Sequence, residues 1–344
     1  MRNEPSWARV SRADAITMLL SLQSTPYHVR AASGARRWLL LTLALSAVVW
    51  LVALAWLSSL ARHVHDDVPA LLAKKLPLLK THPSLIFAGE SRTEYQIDPV
   101  LAAQLIGKRP GDVVNIAYDA GEPLALEAAM RREPDAFRDA HVVTSVAPFL
   151  FNEGVKSAAI YPLDVAARLS LAEQMASFLP LRIGTLMRFV REAFASRLAA
   201  DQGIANRGPA PSALGLVVID RSQPEDRWPA TIGAHGHYAN WDLTGPKARF
   251  EIGALCNMVK WTGKLTVVIP PWAPRFDRGS DPTWRERDDA YVKLVEDAGR
   301  DCGFAVINLP SISALKQSDY ADEMHVMAAG VPVYTRELVA RLNQ

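Results

Sequence analysis

An α/β fold with a parallel sheet and helices on both faces is what this chain predicts for its larger part. Three observations carry that prediction. From Ser84 onward, short apolar runs alternate with longer amphipathic ones, the pattern of strands linked by crossover helices. Hydrophobic residues make up 49% of the 344, ample for a core. The run Leu85-Ile86-Phe87-Ala88 stops abruptly at Gly89-Glu90-Ser91, as a buried strand does when it delivers a functional side chain to its carboxyl edge.

Taken in order, residues 1–37 form a tail in which Arg2, Arg9, Arg12, Arg30, Arg36 and Arg37 outnumber Glu4 and Asp14. Trp38 to Ala61 is uncharged and almost wholly apolar, long enough as a helix to cross a hydrocarbon core about 30 Å thick. The long tail before it fits an uncleaved anchor better than a signal peptide. Positive-inside then predicts a single-pass protein of the inner membrane, with a cytoplasmic amino terminus and a periplasmic remainder. Residues 62–83 read as a charged stalk closed by Pro83, and residues 84–344 as the main domain.

Within that domain the expected strands are Leu85–Ala88, Val113–Ile116, Val142–Val146, Leu214–Ile219, Leu265–Ile269 and Phe304–Leu309. Helical patterns fall at about 97–107, 122–132, 163–175, 181–200, 245–260, 286–300 and 328–342. Residues 201–245 break the alternation with Pro209, Pro211, Pro224, Pro229, Trp228 and Trp241, the composition of a binding loop or lid inserted in the fold.

A net charge of +2 without a basic, aromatic-interleaved block argues against a nucleic-acid binder. Cys256 and Cys302 are too few for a disulfide scaffold and lack metal-ligand spacing. Each lies late in a helical pattern before a strand, so either a bond between neighbouring helices or two separate buried thiols fits. His235 and His237 sit two apart in a glycine-rich loop, but no third ligand of obvious kind is near, and a polar loop is the better reading. No metal and no cofactor is implied, since a phosphate-binding glycine loop is absent too.

The chemistry lies in two short motifs. Ser91 follows the first strand, and Asp322-Glu323-Met324-His325 precedes the last helix. A serine hydroxyl becomes a nucleophile when an imidazole takes its proton and a carboxylate orients that imidazole; Ser91, His325 and Asp322 supply the three groups. Alone, each motif also reads as an ordinary turn or helix cap.

In order and position, the two motifs together resemble the SGNH (GDSL-type) hydrolase superfamily over roughly residues 84–344. The resemblance implies an SGNH-like, flavodoxin-like three-layer α/β/α domain, with Ser91 as nucleophile, His325 as base and Asp322 as orienting acid. It also implies an oxyanion hole from the backbone N–H of Ser91, from Gly121 in Val113-Val114-Asn115-Ile116-Ala117-Tyr118-Asp119-Ala120-Gly121, and from Asn152, with Asn115 supporting the loop. Two departures stand out: Glu90 replaces the family's aspartate, and the third block, Gly-x-Asn-Asp, is absent as such, Asn152 being its nearest counterpart.

Arg92-Thr93 after the serine resembles membrane-anchored branches that move acyl groups onto surface polymers, such as D-alanine transfer proteins and polysaccharide O-acetyltransferases. By that likeness the chain is a serine esterase or acyltransferase acting on O-acyl groups of an envelope or exported polysaccharide, with a membrane-embedded acyl-donor protein as partner. Arg92 is then a substrate-binding candidate or the partner of an acid such as Glu94. Trp272, in Pro270-Pro271-Trp272-Ala273-Pro274 after a strand, is the best candidate for stacking on a sugar. The alternatives are a carbohydrate-binding or assembly component without catalysis, and a lipid or small-ester hydrolase, for which an exposed apolar groove is expected.

Overall fold

The structure, a computed structural model, describes residues 37–52, 70–119, 121–155, 212–220, 228, 236–276 and 282–344. The chain divides into two compact units, Met1–Leu60 and Ala61–Gln344. In the first, residues 37–52 form helix α1, whose apolar side chains from Trp38 to Val52 are largely exposed. The expected membrane span is corrected here: among the described residues no helix is long and apolar enough to cross a membrane. At 1.5 Å per residue the described residues of α1 span roughly 24 Å, against a core of about 30 Å. The single-pass placement and the periplasmic location fall with it, while residues 53–61 lie outside the described residues.

The second unit contains α2 (Ala70–Lys75), β1 (Leu85–Ala88), α3 (Ser91–Gln96), α4 (Pro99–Leu105), β2 (Val113–Asn115), α5 (Pro123–Arg132), α6 (Pro134–Phe137) and β3 (His141–Ser145). It continues with α7 (Pro246–Met258), β4 (Lys264–Ile269), α8 (Pro282–Cys302), β5 (Ala305–Asn308) and α9 (Val331–Leu342). The five strands are all parallel, in the order β2-β1-β3-β4-β5. In this doubly wound order the chain leaves β1 for β2 on one side and crosses to β3 on the other, and ligand sites form at that switch. Ser91 stands there.

Alternation along the strands sorts the core. Ile86, Ala88, Val114, Val142, Val267 and Ile269 pack with α5, α7 and α8 on one face, whereas Leu85, Phe87, Val113, Val143 and Val268 pack with α4 and α9 on the other. Five helices of the domain (α4, α5, α6, α7 and α8) begin at a proline, which loses no hydrogen bond at a first helical position and fixes φ for the turn. Asp98 caps α4 by accepting from the N–H groups of Val100 and Leu101.

Three expectations change. The stalk is part of the domain from α2 on: Leu72 and Leu79 join the core, and buried Lys75 donates to Glu94 at 2.8 Å and to the carbonyls of Ala117 and Gly215. Leu214–Ile219 is not a strand; it lies along the edge of β2, accepting one bond from the Asn115 N–H at 2.9 Å. Gly215 explains the irregularity, because its φ is +99° and a side chain there would strike the Asn115 carbonyl. The short α3 was not anticipated. The helical patterns at 163–175 and 181–200 lie outside the described residues, as does much of the 201–245 insertion. Cys256 and Cys302, at the far ends of α7 and α8, form a disulfide with their Cα atoms 5.2 Å apart.

Candidate active site

β1 is followed directly by Gly89, whose φ of +110° turns the chain out of the sheet. An added Cβ there would lie 2.6 Å from the Ser145 carbonyl oxygen, so β3 passes too close for any side chain. Glu90 follows as the N-cap of α3, accepting from the Arg92 N–H at 3.0 Å, and Ser91 is the first helical residue. The Ser91 N–H finds no acceptor among the described residues.

Asp322 and His325 come from a tight loop before α9. Asp322 accepts from the N–H groups of Met324 and His325 at 2.9 and 2.8 Å, closing the turn that carries the imidazole. An antiparallel bridge between Tyr320 and Val326 clasps its two ends. His325 Nδ1 lies 2.7 Å from Asp322 Oδ2, and Nε2 lies 2.8 Å from Ser91 Oγ. In the tautomer that donates its Nδ1 proton to the carboxylate, the imidazole presents a bare Nε2 lone pair to the serine hydroxyl. Burial pushes the Asp322 pKa up, but the hydrogen bond and charge of His325, with two backbone N–H groups, outweigh it and leave the carboxyl below its ordinary value. Such a chain can pass a proton from hydroxyl to imidazole while oxygen attacks a carbonyl.

Two residues that sequence reasoning missed hold this geometry. Gln96, in the last turn of α3, donates to the Met324 carbonyl at 2.6 Å, so one short helix carries Ser91 and grips the loop bearing His325. Tyr95 sets its ring edge-on to His325 with centroids 5.4 Å apart. Burial pushes its hydroxyl pKa up, with the acids Glu94, Asp119 and Asp322 adding to the rise. The spacing from Ser91 to Gln96 carries no signal without the helix between them.

Glu90 is buried beneath the serine. One carboxylate oxygen accepts from Ser145 Oγ at 2.9 Å and Arg92 Nε at 3.0 Å; the other lies 3.3 Å from Ser91 Oγ. Arg92 therefore pairs with Glu90 and not with Glu94, which belongs to Lys75. Its remaining bonds run to the Pro270 and Val146 carbonyls. Burial alone would lower the pKa of the guanidinium, yet the charge of Glu90 raises it. Arg92 stands 5.7 Å over the Trp272 ring, and both line one cavity of about 250 Å3 that neither Ser91 nor His325 borders.

The expected oxyanion donors are not together. Asn152 gives both amide protons to the His237 and Ala239 carbonyls and accepts from the Gly154 and Asp242 N–H groups. It pins the 237–242 loop and has no proton left for an oxyanion. The Gly121 N–H donates to the Tyr118 carbonyl at 2.9 Å, inside the turn that follows β2. What requires glycine there is proximity: a Cβ would lie 2.0 Å from the Gly89 carbonyl oxygen. Asn115 does support its loop, accepting from the Ala117 N–H and donating to the Thr93 and Ile97 carbonyls. His237 packs its ring on Phe149 and against Trp272, and His235 lies outside the described residues.

No protein-family model matches the chain, and no curated protein matches it. Among solved structures it is similar to Axe2, an acetylxylan esterase from Geobacillus stearothermophilus, at 12% identity and a TM-score of 0.36, covering 76% of this chain and 94% of that one. It is also similar to a carbohydrate acetylesterase family member from Sinorhizobium meliloti, at 9% identity and a TM-score of 0.32, covering 76% and 97%. Scores this low carry no argument about activity, which has to come from the side chains themselves.

Proposed function

We propose that the chain is a serine esterase or O-acyltransferase acting on O-acyl groups of a carbohydrate, with Ser91 as nucleophile, His325 as general base and then acid, and Asp322 as the group that orients and stabilises the imidazolium. The observation that carries this reading is the unbroken chain of contacts from Ser91 Oγ through His325 to Asp322, at 2.8 and 2.7 Å. The hydroxyl proton passes to His325 Nε2 as Ser91 Oγ bonds to the acyl carbon; the ester C–O bond then breaks and the leaving alkoxide takes the proton. Water or a sugar hydroxyl reverses the sequence on the acyl-enzyme. Esterase and transferase use the same groups.

A second reading, a carbohydrate-binding component without catalysis, is favoured by one specific observation: the N–H of Gly121 and the amide of Asn152 are already committed. The Ser91 N–H then remains as oxyanion donor, and each missing donor costs about 10²–10³ in rate. A lipid hydrolase fits less well, because the nearby cavity mixes aromatic with charged and polar walls.

Intact-mass analysis of the full chain with an activated acetyl ester separates the readings. A 1:1 acetyl adduct, or ester turnover, that disappears in Ser91→Ala and is lost in His325→Ala supports acyl chemistry. A folded wild-type chain that neither acylates nor hydrolyses across several acyl donors leaves the binding reading.

A further inference from the structure

The cavity that Arg92 and Trp272 share lies at the carboxyl ends of β4 and β5, beside the candidate triad and not part of it. A single water needs about 10–15 Å3 of cavity, so a space of about 250 Å3 exceeds a few solvent molecules. Five prolines, Pro148, Pro270, Pro271, Pro274 and Pro310, contribute to its wall. Their fixed φ angles set its shape before any ligand arrives.

Two polar residues in its wall keep hydrogen-bonding capacity that is not used. Arg92, 1% exposed, spends three guanidinium N–H groups on Glu90, Pro270 and Val146, and the other two have no partner among the described residues. Asn308 Oδ1 is buried with no hydrogen-bond partner, at a cost of about 1–3 kcal/mol for an orphaned acceptor. The two groups belong to one strand end: Asn308 is in register with Ile269, and the next residue, Pro270, is the one whose carbonyl Arg92 grips.

A spare donor and a spare acceptor in the same cavity call for a group that both accepts and donates, which a neutral hydroxyl does and an ionised carboxylate does not. An anion would satisfy Arg92, whose charge Glu90 already opposes at 3.0 Å, but would face the Asn308 oxygen and the buried Asp288 carboxyl in the same wall. Trp272, 9% exposed, adds an aromatic surface suited to the C–H side of a pyranose ring, with the buried rings of Trp284 and Tyr291 behind the wall. We propose that this cavity binds one neutral sugar residue, with a ring hydroxyl bridging Arg92 and Asn308. The inference deepens the carbohydrate reading and rests on it for the ligand class, but not on any chemistry at Ser91.

Titration calorimetry and thermal melting of the full-length Ser91→Ala chain with methyl β-D-glucopyranoside and methyl β-D-xylopyranoside test it. Saturable binding of at least one sugar that raises Tm is expected. It weakens at least about tenfold in Asn308→Leu, the loss of one buried hydrogen bond, and survives in Asn308→Asp, which keeps an acceptor oxygen in place. Equal sugar affinity in wild type and Asn308→Leu overturns the proposal. So does binding of acetate or inorganic phosphate in place of sugar, and so does no response to sugars or anions. The acetyl-adduct assay on the wild-type chain keeps the two ideas apart: an adduct without sugar binding overturns the sugar cavity alone, and sugar binding without an adduct removes only the catalytic reading.

Discussion

At the scale of residues, the proposed triad is a matter of a few ångströms, and its members are unequal. Replacing Asp322 with Asn removes the acceptor that fixes the His325 tautomer, and acetyl-ester turnover is expected to fall about 10²–10⁴-fold, the range of a positioned acid–base group, with KM little changed. Because the folded pKa of Asp322 lies below the ordinary 3.8, the stability it contributes is complete above that value and is lost as pH falls through the lower, folded one. The loss in acid, read from melting curves, is therefore expected to be smaller in Asp322→Asn. Ser91, His325 and Asp322 were legible because strand order constrains them. Asn152 was misread because its role follows from a loop arriving from 237–242, which no local spacing announces. Arg92 was half legible: an ion pair was foreseen, but a partner two residues before it was hidden until α3 began at Ser91.

At the scale of elements, α3 matters beyond its length. With Ser91 at one end and Gln96 holding the Met324 carbonyl at the other, it sets the distance between Ser91 and His325. Gln96→Ala is expected to lower kcat by about 10–100-fold through misplacement of His325, with KM nearly constant. The same change should cost only about 0.5–1.5 kcal/mol in stability, which chemical denaturation measures. Gly121→Ala acts on the next element: its Cβ would enter the Gly89 carbonyl, and because the atoms it meets are backbone, relief requires the turns after β1 and β2 to part. A loss of about 1–3 kcal/mol or more is expected in denaturant titration. The strands β1 to β5 were legible from apolar runs bounded by turn residues, whereas Leu214–Ile219 shows the limit of that signal, since an apolar run can cover a sheet edge without joining its ladder.

At the scale of the whole molecule, two features bear on stability in ways that can be measured. His141, at the start of β3, is pushed down from the usual 6.5 to about 4, first by burial and then by the charge of Lys264. Between those values the unfolded chain takes up a proton that the folded one refuses, so stability declines as pH falls from about 6.5 to about 4. Replacing His141 with Gln should flatten that part of the melting-temperature profile. The Cys256–Cys302 bond joins α7 to α8, and its loss in a double Cys→Ala variant is expected to cost about 2–4 kcal/mol. Sequence left that pair open because a cysteine's partner depends on how helices dock across β4. Between the two sulfurs run all of β4, the Pro270–Phe276 wall of the cavity and α8, so this stretch is a covalent ring. One backbone cut anywhere within it opens the ring without releasing a fragment: a nicked chain would migrate as one species on a denaturing gel until reductant separates the halves.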